Sequence, residues 1–539
     1  MSRWRAFTQP ARWAALAAGA LPVLAFPAPD LGFLAWFGLV PGLLLMRAAR
    51  SLREAAVRGW WFGTGYMLAT HYWLAPNIGP GLLLAALALG LLWIGVAVST
   101  RVLLSPPVTA RRALAALAVV PSYWLLIEWI RSWQALGGPW ALLGASQWQY
   151  PPMLALAAIG GVWLVTFAIV AANIGLVILI TARPVPVRLL GAAGTAAVIA
   201  AGPVAYALTA AAAPQRYFTV ALVQPGINRN PAARAAANRV LSQHLAARHP
   251  DLIVWGESSI GFDLHTSPGV LHRIERLAAA DRSQILVNQD SLQPRGKSKT
   301  AMLVGANGIR GTYTKSRLVP FGEYIPFRAQ LGWLTRISRA APVNMVPGTG
   351  ARVLTAQPPG LPPVRIGVLI CFESAFPDMS RADARHGAQL IVYQTSDSTF
   401  QQSWAPAQHA ALGALRAAET GRPVVQAALT GDSVAFDARG RLLGSLTTSQ
   451  RGVLVARLGL PPASALTPFD RAGDVLPWLA IIIAVAAAAA GVIPRVPAHR
   501  TVAIPLRDNH RRLSSVSISK RSPGEGSPPP TPGQGGDDA

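Results

Sequence analysis

The sequence predicts a multi-span α-helical membrane domain joined to a soluble α/β domain, and three observations carry that prediction. Roughly the first 210 residues hold successive apolar runs separated by short arginine-bearing loops. From residue 216 to 460, short Val/Ile/Leu runs alternate with polar, helix-like stretches. The composition, 52% hydrophobic and 13% charged, lies on the membrane-protein side of ordinary globular usage. The formal net charge of +25 does not indicate nucleic acid. Its basic residues sit in loops between apolar runs and in the C-terminal tail, not along one face of a soluble domain.

In chain order, residues 13–27, 31–46, 58–75, 81–104, 113–130, 154–181 and 187–209 read as spans, within a membrane domain over 1–210. A spanning helix needs roughly 20 mainly apolar residues, so the first two are short enough to be tilted or broken. Arg3 and Arg5 precede an apolar run as in a secretory signal, but further spans follow at once, which favours an anchor. Arginines crowd alternate loops: Arg47, Arg50, Arg53 and Arg58, then Arg101, Arg111 and Arg112, then Arg183 and Arg188. The intervening loops at 27–30 and 76–80 carry no Arg or Lys. This alternation predicts a cytoplasmic N-terminus and an extracytoplasmic second domain.

That second domain, 216–460, shows strand-like strings such as YFTVALVQ, DLIVWGES, SQILVNQD, TAMLVGAN, VRIGVLIC and AQLIVYQT. Helix-like segments at 231–249 and 268–280 separate them, so an α/β fold with parallel or mixed sheets is expected. An eighth apolar run at 475–493 is expected to return the chain to the cytoplasm, before a disordered cytoplasmic tail over 498–539. Neither a metal-binding Cys/His cluster nor a phosphate-cradling glycine loop occurs, so no cofactor or metal is expected.

Three strand ends carry groups capable of chemistry. Cys371, the only cysteine, follows the apolar run Arg365 to Ile370 in VRIGVLICFES. A thiol where a buried strand breaks into a turn suits a nucleophile, with turn N–H groups facing a developing oxyanion. The bland reading is a buried cysteine acting as a small hydrophobe. Glu257 follows a strand in DLIVWGESS, and Lys315 exits another in GTYTKSRLVPFGEYIP, with Glu323 eight residues on; Glu373 stands two after Cys371. Each carboxylate alone reads equally as a solvated charge or helix cap. Lys315 weighs more, because the chain has only four lysines: Lys297, Lys299, Lys315 and Lys520. Together a carboxylate, an ammonium and a thiol at strand ends support acyl transfer without a histidine: base, oxyanion partner and nucleophile.

Glu257, Lys315 and Cys371 with their surrounding strings resemble the Glu-Lys-Cys triad of the nitrilase superfamily. KSRLVPFGEYIPFR, GESS and CFES resemble its membrane-embedded branch, the apolipoprotein N-acyltransferases, over roughly residues 10–495. The resemblance implies a four-layer α-β-β-α sandwich for 216–460 and a catalytic domain outside the cytoplasmic membrane. It implies Glu257 as general base, Lys315 as stabilising cation and Cys371 as nucleophile. Glu323, Phe372 and Glu373 fall on supporting positions, with Glu323 orienting Lys315 or assisting proton transfer. The implied partners are a phospholipid acyl donor and a diacylated apolipoprotein acceptor. Phe372 replaces a tyrosine common in the family, the segment after VQPG lacks a tryptophan common there, and YQTSDSTFQQSW departs from the family's form. Residues 327–334 read as a membrane-facing arm or as core, and EWIRSW (Glu128, Trp129, Arg131) as an interfacial anchor or a lipid entrance. Two rivals remain: a membrane-bound amidase or acyl hydrolase using water, and a catalytically inactive binding module.

Overall fold

The computed structural model describes residues 2–491 apart from 210–211, 229, 244, 294–295, 337–340 and 342. Four helices in the N-terminal region are both long and apolar enough to cross a membrane: Gly81–Leu104, Ala110–Arg131, Pro151–Thr181 and Val185–Leu208. The first two predicted spans fall instead on shorter apolar helices, Pro10–Ala25 and Gly32–Arg47. The third falls on Leu52–Thr70, which begins six residues earlier than the apolar run, at the Ser51 cap whose side chain accepts from Glu54 N. Its small residues serve packing. A Cβ at Gly65 would lie 2.0 Å from Leu16 O, and one at Gly63 would lie 2.6 Å from Gly90 O. Small side chains let helix backbones approach closely, at the expense of hydropathy.

The predicted 154–181 span is not one straight helix. Pro151–Thr181 breaks at Gly160 and Gly161, where Gly161 has φ 67 and the Phe469 ring occupies the space a side chain would need. The freed Val162 N–H donates to Glu419 Oε1 at 2.8 Å, so a carboxylate from the α/β domain caps the second half. The last apolar helix is Val475–Ala489; residues 492–493 of the predicted span and the 498–539 tail lie outside the described residues.

The α/β domain contains two six-stranded mixed sheets. The first holds β1 (Arg216–Gln224), β2 (Leu252–Trp255), β3 (Gln284–Gln293), β4 (Gly296–Gly305) and β5 (Gly308–Thr314). The second holds β6 (Val353–Ala356), β7 (Val364–Ile370), β8 (Leu390–Thr395), β9 (Val424–Ala428), β10 (Ser433–Phe436) and β11 (Leu442–Leu446). β12 (Gly452–Leu460) returns to pair antiparallel with β1. Each sheet has a parallel centre, β1-β2-β3 and β7-β8-β9, flanked by antiparallel strands. β2, β8 and β9 are buried throughout, as continuous apolar strands covered on both faces should be.

The sheets face each other, with the Pro231–Ser242 and Pro268–Asp281 helices outside the first and Pro377–Arg385 and Ala405–Thr420 outside the second. This is the four-layer α-β-β-α sandwich expected above. Ala405–Thr420 is buried almost all round because its far side packs on the Pro151–Thr181 helix.

Candidate active site

Glu257, Lys315 and Cys371, separated by up to 114 positions in sequence, converge at one edge of the sandwich. β2 delivers Glu257 through Gly256, which lies against the backbone of the opposite sheet; Glu257 N donates to Thr395 O at 3.1 Å. Lys315 follows β5 directly, its N–H bonded to Lys299 O at 2.9 Å. β7 ends at Ile370, and Cys371 opens a tight turn over Cys371–Ala375. Cys371 and Ser258 both have φ 54, a left-handed backbone that non-glycine residues rarely adopt. Such conformations persist where the surroundings over-determine them.

The Cys371 thiol lies beside the Glu257 carboxylate. Lys315 Nζ lies 3.4 Å from Glu257 Oε1 and 2.7 Å from Glu323 Oε1. Glu323 Oε2 also accepts from Val319 N at 2.9 Å, so one carboxylate bonds both the fully buried lysine and the loop that follows it. Burial acts to raise the Glu257 carboxyl. The Lys299 and Lys315 ammonium groups and the Cys371 and Lys315 hydrogen bonds outweigh it and hold Glu257 below the usual glutamate range. The apolar surround of Cys371 and the Glu257 charge push its thiol well up, with Lys315 opposing. Burial acts to lower Lys315, but Glu323 and Glu257 keep it firmly protonated. At rest, then, the proton sits on sulfur beside a carboxylate able to take it, and an ammonium stands next to both.

Glu373 is also brought in, between the lysine loop and the cysteine turn. Its Oε2 accepts from Ile370 N at 2.8 Å, and its Oε1 from Ser316 N (2.7 Å), Tyr313 Oη (2.8 Å), Ser316 Oγ (2.9 Å) and Arg317 N (3.0 Å). One carboxylate therefore ties the lysine loop to the cysteine turn. Phe372 points toward the helical region, edge-on to Phe376 at 4.9 Å, and both rings abut Gly138.

Three groups that sequence reading did not single out complete the site. Lys299 Nζ lies 3.5 Å from Glu257 Oε1 and 3.1 Å from Asp290 Oδ1. Its signal was the rarity of lysine. His409, buried, reaches Cys371 O at 3.2 Å and Ser374 Oγ at 2.9 Å through Nε2, with Nδ1 3.0 Å from Asp397 Oδ1. Burial acts to lower His409, but Asp397 outweighs it and raises it. Nothing local marked this pair, although Asp397 lies within the stretch that departs from the family's form.

That stretch docks on the helical region. Phe400 packs edge-on to Trp73 at 4.9 Å, and Trp404 N donates to Tyr72 Oη at 3.0 Å. Gln134 Nε2 donates to Leu318 O at 2.8 Å, and Trp140 Nε1 to Gln408 Oε1 at 2.9 Å. The charged positions of the EWIRSW segment are buried, while Trp133 at its end is exposed. Glu128 is fully buried and accepts from Leu143 N (2.6 Å), Thr166 Oγ1 (2.8 Å) and Trp124 Nε1 (3.0 Å), while Arg131 donates to Trp140 O at 2.7 Å. Buried charges must bond internally, and these fix the loop that reaches the cysteine turn. Of the 327–334 segment, Phe327 and Trp333 are exposed, not core.

The chain matches two family models: Apolipoprotein N-acyltransferase N-terminal domain over residues 18–175 and Carbon-nitrogen hydrolase over residues 219–466. It is 31% identical to an apolipoprotein N-acyltransferase of Geobacter metallireducens over 504 residues, covering 88% of this chain and 94% of that protein. It is likewise 31% identical to one from Rhizobium rhizogenes over 499 residues, covering 82% of this chain and 89% of the other. Among solved structures, a nitrilase-superfamily amidase from Nesterenkonia AN1 aligns at 19% identity with a TM-score of 0.33, over 47% of this chain and 92% of that one.

Proposed function

This chain belongs to the apolipoprotein N-acyltransferase family, and from that premise we propose that it transfers a fatty acyl chain from a phospholipid, through a thioester on Cys371, to the α-amine of a lipoprotein's diacylglyceryl-cysteine. The observation that carries the proposal is the convergence of Lys315, Glu257 and Cys371 on one site, with Lys315 Nζ 3.4 Å from Glu257 Oε1.

In the first half, Glu257 takes the thiol proton as sulfur attacks the ester carbonyl. The C–S bond forms, and the negative oxygen is stabilised by Lys315 and the N–H of Phe372 at the start of its turn. The C–O bond to glycerol then breaks, Glu257 returns the proton to the leaving oxygen, and a lysophospholipid departs. In the second half the acceptor amine attacks the thioester, Glu257 takes its proton, and the thiolate is expelled and reprotonated.

The domain division supports delivery of both substrates from a bilayer: a membrane domain over 1–210, a catalytic domain over 216–460 and a final span from 475. The loop-arginine alternation supports a multi-pass protein of the cytoplasmic membrane with its catalytic domain on the extracytoplasmic face. The aromatic contacts from Phe372, Phe376, Phe400 and His409 to the helical region support a lipid-side, water-poor approach to sulfur. Exposed Phe327 and Trp333 suit an arm that meets lipid.

The test is intact mass of detergent-purified protein after incubation with phospholipid, beside Cys371→Ala. A hydroxylamine-labile acyl adduct on the native protein alone, discharged by a diacylated lipopeptide into an N-acyl product, is the expected result. Discharge only to free fatty acid would instead make it a hydrolase, and absence of any adduct on folded protein would leave a binding module.

A further inference from the structure

Two ammonium groups, not one, lie on Glu257. Lys315 and Lys299 both approach Oε1, at 3.4 and 3.5 Å. They arrive from different elements and are balanced separately. Lys315, after β5, has Glu323 at 2.7 Å; Lys299, on β4, has Asp290 at 3.1 Å, its directly opposite neighbour in the β3–β4 register. Lys299 also donates to Ser258 Oγ, and Ser258 Oγ bonds Asp290 Oδ1 at 2.9 Å. Ser258 is the left-handed residue immediately after the base. Lys299 thus grips both Glu257 and the turn that aims it.

A cross-strand ion pair with Asp290 would be satisfied by a solvated lysine at the strand surface. Instead the side chain is largely buried and turned onto the carboxylate, at the expense of its rotamer freedom. The charges facing Glu257 are Lys299 and Asp290 from β3 and β4, Lys315 and Glu323 from the loop after β5, and Cys371 after β7. His409 with Asp397 lies behind the cysteine turn. Two lysines and three carboxylates leave the inner cluster one net negative charge, and moving the thiol proton to Glu257 shifts a negative charge onto sulfur without changing that sum. Without Lys299 that carboxylate would face Asp290 and Glu323 with one cation among three anions.

We infer that Lys299 is a positioning residue for the base: it holds Glu257 ionised and aimed at the Cys371 thiol, leaving Lys315 to meet the reacting carbonyl. This rests on the acyl-transfer reading above. It divides the labour between two lysines that a single Glu-Lys-Cys set assigns to one.

The experiment measures the rate of thioester formation from phospholipid against pH by intact mass, for the native chain, Lys299→Met, Lys299→Arg and Asp290→Asn, each checked for folding by its Tm. Losing the cation at Lys299 should move the acid limb of the profile up by about one to three pH units, the shift expected of one opposite charge at this range. Lys299→Arg should restore most of it. Asp290→Asn should move the limb down, an opposite shift that a purely structural lysine would not produce, and it serves also if Lys299→Met does not fold. A limb unmoved in the folded variants overturns the inference and leaves the acyl-transfer reading standing. Should the native chain form no adduct, that reading falls. The limb is then read from alkylation of Cys371 by iodoacetamide, where the same shifts support the role of Lys299 and unmoved limbs refute it.

Discussion

Gly256 is the most demanding position in the path from strand to base, and Gly256→Ala tests whether contact between the two sheets aims Glu257. A Cβ at Gly256 would lie 2.1 Å from Leu429 N and 2.7 Å from Ala428 C, where ordinary contact begins at 3.4 Å. The shortfall of ~1.3 Å falls on main chain, not on a side chain that could swing aside. That main chain is itself pinned, since Thr395 O accepts both Leu429 N at 2.8 Å and Glu257 N at 3.1 Å. One sheet end must therefore shift by about 1 Å, and the residue next to the methyl is Glu257. Overpacking of this kind costs ~1–3 kcal/mol, and a displacement of that size at a reacting group can cost ~100-fold in rate. The expected result is a lowered Tm together with thioester formation about 100-fold slower than native, measured by intact mass at a temperature where both proteins are folded. Native-like acylation, within about threefold, would show that the sheet contact does not set the position of the base.

Two further outcomes follow from groups behind the site. Burial pushes Glu419 up to about 7, against Arg416 and the Val162 N–H. The folded chain keeps a proton there that the unfolded chain releases above about 4.5, the ordinary glutamate value. The associated stability is full below that value and is lost as pH rises through about 7, amounting to ~3 kcal/mol. Glu419→Gln keeps an acceptor for Val162, so its Tm between about pH 5 and 7.5 should fall less steeply than that of the native chain; parallel curves would refute the assignment. Asp397→Asn removes the charge beside His409, whose Nε2 supports the carbonyl of the left-handed Cys371. Loss of a charge-assisted bond should cost ~1.5–3 kcal/mol in stability and slow thioester formation about tenfold. An unchanged thermal transition and acylation rate would show that the pair does not hold the turn.

The Glu-Lys-Cys set was legible because its signals are local. Each of the three residues follows a strand whose apolar run is visible by itself; Lys315 and Cys371 are scarce residue types, and Glu257 stood out through its place in the set. The apolar runs at 81–104, 113–130, 154–181 and 187–209 were legible for the same reason, since hydropathy over a window needs no knowledge of partners. Leu52–Thr70 was placed too late. The turns it missed, 52–57, carry Arg53 and Glu54, which a hydropathy window discounts, whereas the glycines that let the helix pack closely lie inside the predicted run.

What the sequence by itself determined is therefore which side chains stand at strand ends and which segments prefer an apolar medium. Only the tertiary structure decided which of them meet. It set Lys299 opposite Asp290 through the β3–β4 register, brought His409 on its helix behind Cys371, and turned Glu373 into a clamp on the lysine loop. It also buried Glu128 and Arg131 where an interfacial position was a natural expectation. The physical reason is range. Strand and helix periodicity encode how a residue's own face is buried over a few neighbours, whereas charge pairs and hydrogen bonds act between side chains made adjacent by packing across sheets and helices. Register and sheet contact supply that adjacency, and a single chain read in order does not contain it in local form.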